Sequence, residues 1–67
     1  MNIIVNGQDL ILDTAISKSF TVADLLDYLE IKSLAGITVE KNGDIAEKWE
    51  EVVDGDVIQI VKFVAGG

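Results

Sequence analysis

The 67-residue chain contains no cysteine, no histidine and no proline. Without cysteine there is no disulfide staple, no thiolate metal site and no cysteine nucleophile. Without histidine the usual acid–base group of neutral pH is missing. Basic residues are few, five against twelve acidic ones, for a net charge of −7. That balance argues against nucleic acid, whose phosphates are met by Lys and Arg, and favours a partner with a basic surface. Met1 leads straight into Asn2, Ile3, Ile4 and Val5, with no basic leading segment and no long apolar run. Neither a signal peptide nor a membrane span is predicted, and a cytoplasmic protein is expected. No segment is low in complexity and no repeat divides the chain, so it builds one core. A stability of roughly 3 to 10 kcal/mol follows from the usual contribution per residue.

What the chain does have is a distinctive end. Val57 to Gly67 reads VIQIVKFVAGG, a strand-forming apolar run that stops at two glycines. Glycine has no Cβ, so two in succession can thread a channel too narrow for a side chain. A carboxylate on Gly67 is ionised at neutral pH, which makes it a nucleophile toward a phosphoryl centre and a poor electrophile until activated. From Val64 to Gly67 the extended chain reaches roughly 13 Å, enough to enter another protein's active site while the body docks outside. Residues 1–63 are therefore expected to fold and residues 64–67 to form a flexible tail. A frayed terminus without chemistry is an equally good reading of composition alone.

Asn2 to Asn6 alternates as a first strand, with Ile3 and Val5 facing the core and Ile4 the other way. Asn6-Gly7 tolerates positive φ at both residues and predicts a hairpin turn into a second apolar run, Leu10 to Leu12. Asp13 to Ser19 is mixed, with Ile16 as its anchor. Phe20 to Leu29 predicts one amphipathic helix: Thr21 as N-cap, Asp24 in capping-box position, and Val22, Leu25, Leu26 and Leu29 at helical spacing. Phe20 and Leu25 stand where a hydrophobic staple would, and Tyr28 falls off the stripe. That stripe is read as core rather than as a partner groove. Ile31 to Gly36 crosses over to a strand at Ile37 to Lys41, with Ile37 and Val39 inward and Thr38 and Glu40 outward. Asn42-Gly43 turns the chain again. Ile45 to Val53, with Trp49 and Val52 among acidic residues, fits a short strand, a helical turn or a surface loop equally. Asp54-Gly55-Asp56 is a turn into the last strand, where Ile58 and Ile60 face the helix while Gln59, Val61 and Phe63 face away.

Catalytic and metal chemistry find little support here. The Asp54, Asp56 pair lacks the alternating oxygens of an EF-hand loop and is read as a turn with solvated carboxylates. The Asn-Gly pairs have neither the repeated glycines nor the lysine of a phosphate loop. No residues form an acid–base pair or a nucleophilic triad, so no catalytic residue is assigned and the chain is not expected to be an enzyme. The order of elements, a hairpin, a helix, a strand, an irregular segment and a final strand, predicts an α+β fold. Its simplest form is a mixed four- to five-stranded sheet with one helix packed across one face and the first and last strands parallel at the centre. That is the β-grasp arrangement of ubiquitin-like proteins.

Over its whole length the sequence resembles the sulfur-carrier proteins of thiamine biosynthesis, the ThiS family. The resemblance rests on Asn6-Gly7 after the first strand, the Thr-Val-x-x-Leu-Leu helix start at Thr21 to Leu26, the Asn42 to Ile45 turn, Gly55-Asp56, and above all Ile60 to Gly67 with its terminal Gly-Gly. It departs from the family pattern in a shorter stretch between Asn42 and Gly55 and a longer one over Asp13 to Ser19. The resemblance implies a carrier cycle. An adenylating, E1-like enzyme would use ATP and magnesium to form a glycyl adenylate on Gly67, and a sulfur donor protein would convert it to a thiocarboxylate, a 1-thioglycine. Thiazole synthase would then receive the sulfur. Gly67 would carry the reactive group, Gly66 and Ala65 would thread the channel, and Val61, Phe63 and Val64 would meet both partners. No permanently bound cofactor or metal is implied, and the free carrier is expected to be a monomer. The alternatives are the small subunit of molybdopterin synthase, a ubiquitin-like protein modifier, and a binding module without terminal chemistry.

Overall fold

The computed structural model describes residues 1–13, 19–31 and 35–63. Five strands and one helix follow in the order β1 (Asn2–Val5), β2 (Gln8–Ile11), α1 (Val22–Tyr28), β3 (Ile37–Lys41), β4 (Asp44–Ile45) and β5 (Val57–Lys62). They form one sheet of order β2-β1-β5-β3-β4. The last strand is thus the central one. It runs parallel to β1, with Ile4 opposite Val57 and Val5 opposite Ile58, and antiparallel to β3 from Ile37↔Lys62 to Lys41↔Ile58.

Both Asn-Gly pairs form the expected tight turns, with φ of 50° and 81° at Asn6 and Gly7 and 54° and 91° at Asn42 and Gly43. Positive φ at both central residues matches the right-handed twist of the flanking strands. The hairpin registers follow, with Val5↔Gln8 closing the first and Lys41↔Asp44 the second.

The core lies between the sheet and α1. Ile3, Leu12, Val22, Leu25, Leu26, Val39, Val52 and Ile58 are buried in one cluster, and Val5, Phe20, Leu29, Ile37 and Ile60 pack against it half-buried. The strand faces and the leucine stripe therefore point as their periodicity predicts, and Tyr28 is exposed. Ile16 lies outside the described residues, as does the middle of the crossing between Ile31 and Gly36.

The helix has only seven residues, too few to hold by propensity alone, and its ends are closed by specific bonds. Thr21 and Asp24 make the reciprocal capping box, with Asp24 N–H donating to Thr21 Oγ1 and Thr21 N–H to Asp24 Oδ2. The N–H groups of Val22 and Ala23 donate to the carbonyls of Glu50 and Lys48, at 2.9 and 3.0 Å, and that of Leu25 to Thr21. All four N–H groups of the first turn are satisfied.

These bonds also settle the segment that sequence left open. After two residues of β4 the chain turns at Lys48 and Trp49, forms an isolated bridge between Glu51 and Thr21, and buries Val52, whose N–H donates to Phe20 O. The acidic segment is a backbone cap for the helix.

At the other end Ile31 N–H donates to Leu26 O and Glu30 N–H to Asp27 O, both at 3.0 Å, while Glu30 itself sits at φ 61°. This is a Schellman ending with glutamate at the position that usually holds glycine. An L residue there is strained by about 1 to 2 kcal/mol, part of which glycine returns through its looser unfolded chain. Glu30→Gly is expected to stabilise the fold by about 0.5 to 1 kcal/mol, read as a raised melting temperature. An unchanged or lowered value would mean that Glu30 makes a compensating contact.

Candidate functional site

The candidate site is the end of β5, from which the glycine tail departs. Val64, Ala65, Gly66 and Gly67 lie outside the described residues, so what the structure shows is the root of the tail and the surface around it.

That root is held from both edges. On the β1 side, strand pairing stops at Asn6, whose N–H donates to Ile58 O at 2.9 Å before the chain turns away. The Asn6 side chain then stands in for the missing strand residue: Oδ1 accepts from Ile60 N–H at 2.7 Å and Nδ2 donates to Ile60 O at 3.3 Å. On the β3 side, Phe63 N–H donates to Gly36 O at 2.8 Å, one residue beyond the ladder. The start of β5 has a matching arrangement. Asn42 Oδ1 accepts from Val57 N–H at 2.9 Å, and Val57 O accepts from Asn42 N–H at 2.8 Å. Each Asn-Gly turn is therefore a hairpin turn and a clamp on the central strand at once.

Asp56 departs from expectation. It is 7% exposed rather than solvated. Its Oδ1 accepts from Asn42 Nδ2 and its Oδ2 from Val53 N–H, both at 2.9 Å, while its backbone carbonyl accepts from Ile4 N–H. Beside the sharp turn at Gly55, φ 90°, the carboxylate folds inward, and these donors satisfy a charge that water barely reaches. Asp54 is exposed as expected, and its Oδ1 receives Asn2 N–H. Among the described residues no group of three or more His, Cys, Asp or Glu is placed to hold a metal ion.

The outer face of the sheet, away from α1, follows from the registers. Val57 and Val61 of β5 share it with Ile4, Ile11, Thr38, Glu40 and Ile45. Phe63 is 66% exposed, whereas Val61, opposite Thr38, is half-buried rather than open. Ile11 and Ile45 are more exposed still, and sequence reasoning did not single them out, although β1 and β2 register would have put Ile11 on the same face as Ile4. Trp49, 75% exposed, sits apart in the helix-capping segment.

The Glu50 carboxylate is held below its ordinary range by the backbone N–H of Glu47, at 2.7 Å, with Lys41 Nζ, 3.4 Å away, as a further contribution. Lys41 also donates to Glu51 O, so this pair fastens the capping segment to β3.

Phe63→Asp tests the surface. An exposed residue outside the core should cost under about 0.5 kcal/mol of stability. If Phe63 anchors a partner, its loss should weaken binding by about tenfold or more. Calorimetric binding and a melting curve on the same variant separate the two, and a large fall in melting temperature would show Phe63 to be a core residue.

A five-stranded mixed sheet, one helix across one face, and a central C-terminal strand running toward Gly-Gly define a small ubiquitin-like β-grasp protein. Comparison with solved structures agrees. The chain is 35% identical to a thiamine biosynthesis protein, ThiS, from Geobacter metallireducens in its crystal structure, with a TM-score of 0.80 and all of both chains covered. A solution structure of a thiamine biosynthesis protein from the same organism matches with a TM-score of 0.75 over 100% of this chain and 88% of that one. SAMP1 from Haloferax volcanii, 22% identical with a TM-score of 0.65 over 98% and 97% of the two chains, shares the fold. No curated protein matches the sequence. The ThiS family matches residues 3–67, and the chain belongs to it. It is thereby a sulfur carrier of the ThiS family, a group of small ubiquitin-fold proteins of thiamine biosynthesis that are generally not enzymes. No helix among the described residues is long and apolar enough to cross a membrane.

Proposed function

We propose that this chain carries sulfur as a thiocarboxylate on Gly67. The observation that supports it most is the family match itself, which runs through Gly66 and Gly67. In this reading the Gly67 carboxylate attacks the α-phosphorus of ATP in a partner's active site, with magnesium there balancing the phosphate charge, and pyrophosphate leaves. The acyl adenylate is now an electrophile. The outer sulfur of a donor's persulfide attacks its carbonyl carbon and AMP departs. A second thiol then takes the donor sulfur into a disulfide, which leaves the electron pair and the carried sulfur on Gly67 as the thiocarboxylate. Thiazole synthase is the proposed acceptor.

The chain's own part in this is to bind and to aim. Gly66 and Ala65 give the tail its clearance in a narrow channel. Val61, Phe63 and Val64 lie at its root and are the proposed contacts for both the adenylating enzyme and the synthase. Docking the folded body fixes the carboxylate against its reaction partner at high effective concentration. The charge of −7 supports an activating partner with a basic surface and an association that slows as salt rises.

Intact mass spectrometry tests the proposal, on chain taken from cells that also supply its adenylating enzyme and sulfur source. The expected result is a species with one oxygen replaced by sulfur, localised by fragmentation to Gly67. A full-length chain that remains unmodified in every growth condition would overturn it. Isopeptide adducts between Gly67 and lysines of other proteins would indicate a modifier instead.

A further inference from the structure

Four glycines among the described residues have positive φ: Gly7, Gly36, Gly43 and Gly55. At Gly7, Gly43 and Gly55 the backbone conformation alone explains the residue, since a Cβ built there would meet nothing within 4 Å. Gly36 is different. A Cβ at Gly36, φ +75°, would stand 2.7 Å from the Phe63 carbonyl oxygen and 3.7 Å from its carbon. The same two residues are joined by Phe63 N–H donating to Gly36 O at 2.8 Å.

We infer that Gly36 is the positioning residue for the carrier tail: its missing side chain lets the entry to β3 close against Phe63 and so fixes the direction in which the chain leaves the sheet. The Phe63 carbonyl belongs to the peptide that joins Phe63 to Val64. The bond from Phe63 N–H to Gly36 O holds the preceding peptide, and the Phe63 carbonyl oxygen fills the space that a Cβ at Gly36 would need. At 2.7 Å a methyl at Gly36 cannot be accommodated unless something shifts, and the shift is costly because the atom it meets is backbone. That carbonyl is the last described group before Val64, so its shift is passed directly to the start of the tail. A displacement of about 1 Å at a reacting group is enough to lower a rate by about a hundredfold.

The inference rests on the carrier reading for its activity arm, so the test has a second arm that does not. Gly36→Ala and Gly43→Ala are compared in the full chain, since both place an L residue at positive φ and only the first crowds Phe63. A third protein, with D-alanine at position 36 introduced by chemical synthesis, accepts positive φ and carries its methyl at the other hydrogen position of Cα, not where an L-Cβ meets the Phe63 carbonyl. The readouts are kcat and KM for pyrophosphate release by the adenylating enzyme, and backbone amide residual dipolar couplings of residues 63 to 67. Gly36→Ala is expected to lower kcat by about ten- to a hundredfold while KM stays within about threefold, and to change the couplings from Phe63 onward. Gly43→Ala and the D-alanine protein are expected to keep both. Equal kcat in the Gly36→Ala and Gly43→Ala proteins, or an equal loss with L- and D-alanine at position 36, would overturn the inference. If the wild-type chain is not adenylated at all, the carrier reading fails, and the couplings alone decide: unchanged values in Gly36→Ala would then overturn the positioning role too.

Discussion

Asp56→Ala is expected to be the most destabilising single substitution outside the apolar core. It would leave Val53 N–H and Asn42 Nδ2 without their acceptors at a part-buried site. Hydrogen bonds to a charged acceptor contribute about 1.5 to 3 kcal/mol each. A loss of about 3 kcal/mol is expected, against a total of roughly 3 to 10 for a chain of this size. The melting temperature should fall by roughly 12 to 24 °C, at about 4 to 8 °C per kcal/mol. Asp56→Asn keeps one acceptor oxygen and presents an amide to the second donor, so it should fall between the alanine variant and the wild type. A loss below about 1 kcal/mol for alanine would mean that water replaces the carboxylate at little cost.

The second large effect concerns chemistry and leaves the fold alone. Gly67→Ala is expected to lower adenylation by about a hundredfold or more, because a methyl next to the reacting carboxylate would meet the walls of a channel shaped for glycine. Thermal unfolding should be unchanged. Single-turnover adenylation with the partner enzyme, alongside a melting curve, checks both halves. Normal turnover by the variant would show that the channel admits a side chain and that Gly-Gly is required for another reason.

Much of this molecule can be read from its residues because several local signals agree. The alternation in β1, β3 and β5, the leucine spacing of α1, the Thr21–Asp24 box and the two Asn-Gly turns all bring the same groups inward, and the structure buries them as read. The ambiguous stretch around Trp49 could not be resolved the same way. It caps the helix through the carbonyls of Lys48 and Glu50, and backbone acceptors leave no trace in side-chain identity. Asp56 misled for a related reason: an aspartate beside a turn glycine is usually solvated, and its burial depends on Asn42 arriving from a hairpin fourteen residues earlier. Glu30 in a left-handed cap and Gly36 against Phe63 are likewise decided by tertiary geometry. At the site, the strand leading to the glycines was legible, but the apolar face around it became visible only once the register placed Ile11 and Ile45 on the same outer face as Val57 and Val61.

The sheet order carries a consequence for how the molecule comes into being. Remove β5 and nothing pairs β1 with β3: two separate hairpins remain, each too small to hold in water. The contacts that join them, Ile4 with Val57 and Asn6 with Ile60, span more than fifty residues of sequence. Closing so long a loop must precede the pairing that rewards it, which favours an all-or-none transition with a comparatively slow folding step. Exchange of the Ile58 and Ile60 amides with solvent deuterium should therefore require global opening. A chain that has not finished folding has no aimed tail to offer, so an enzyme that recognises the sheet and the glycines together would act on completed molecules and pass over nascent ones.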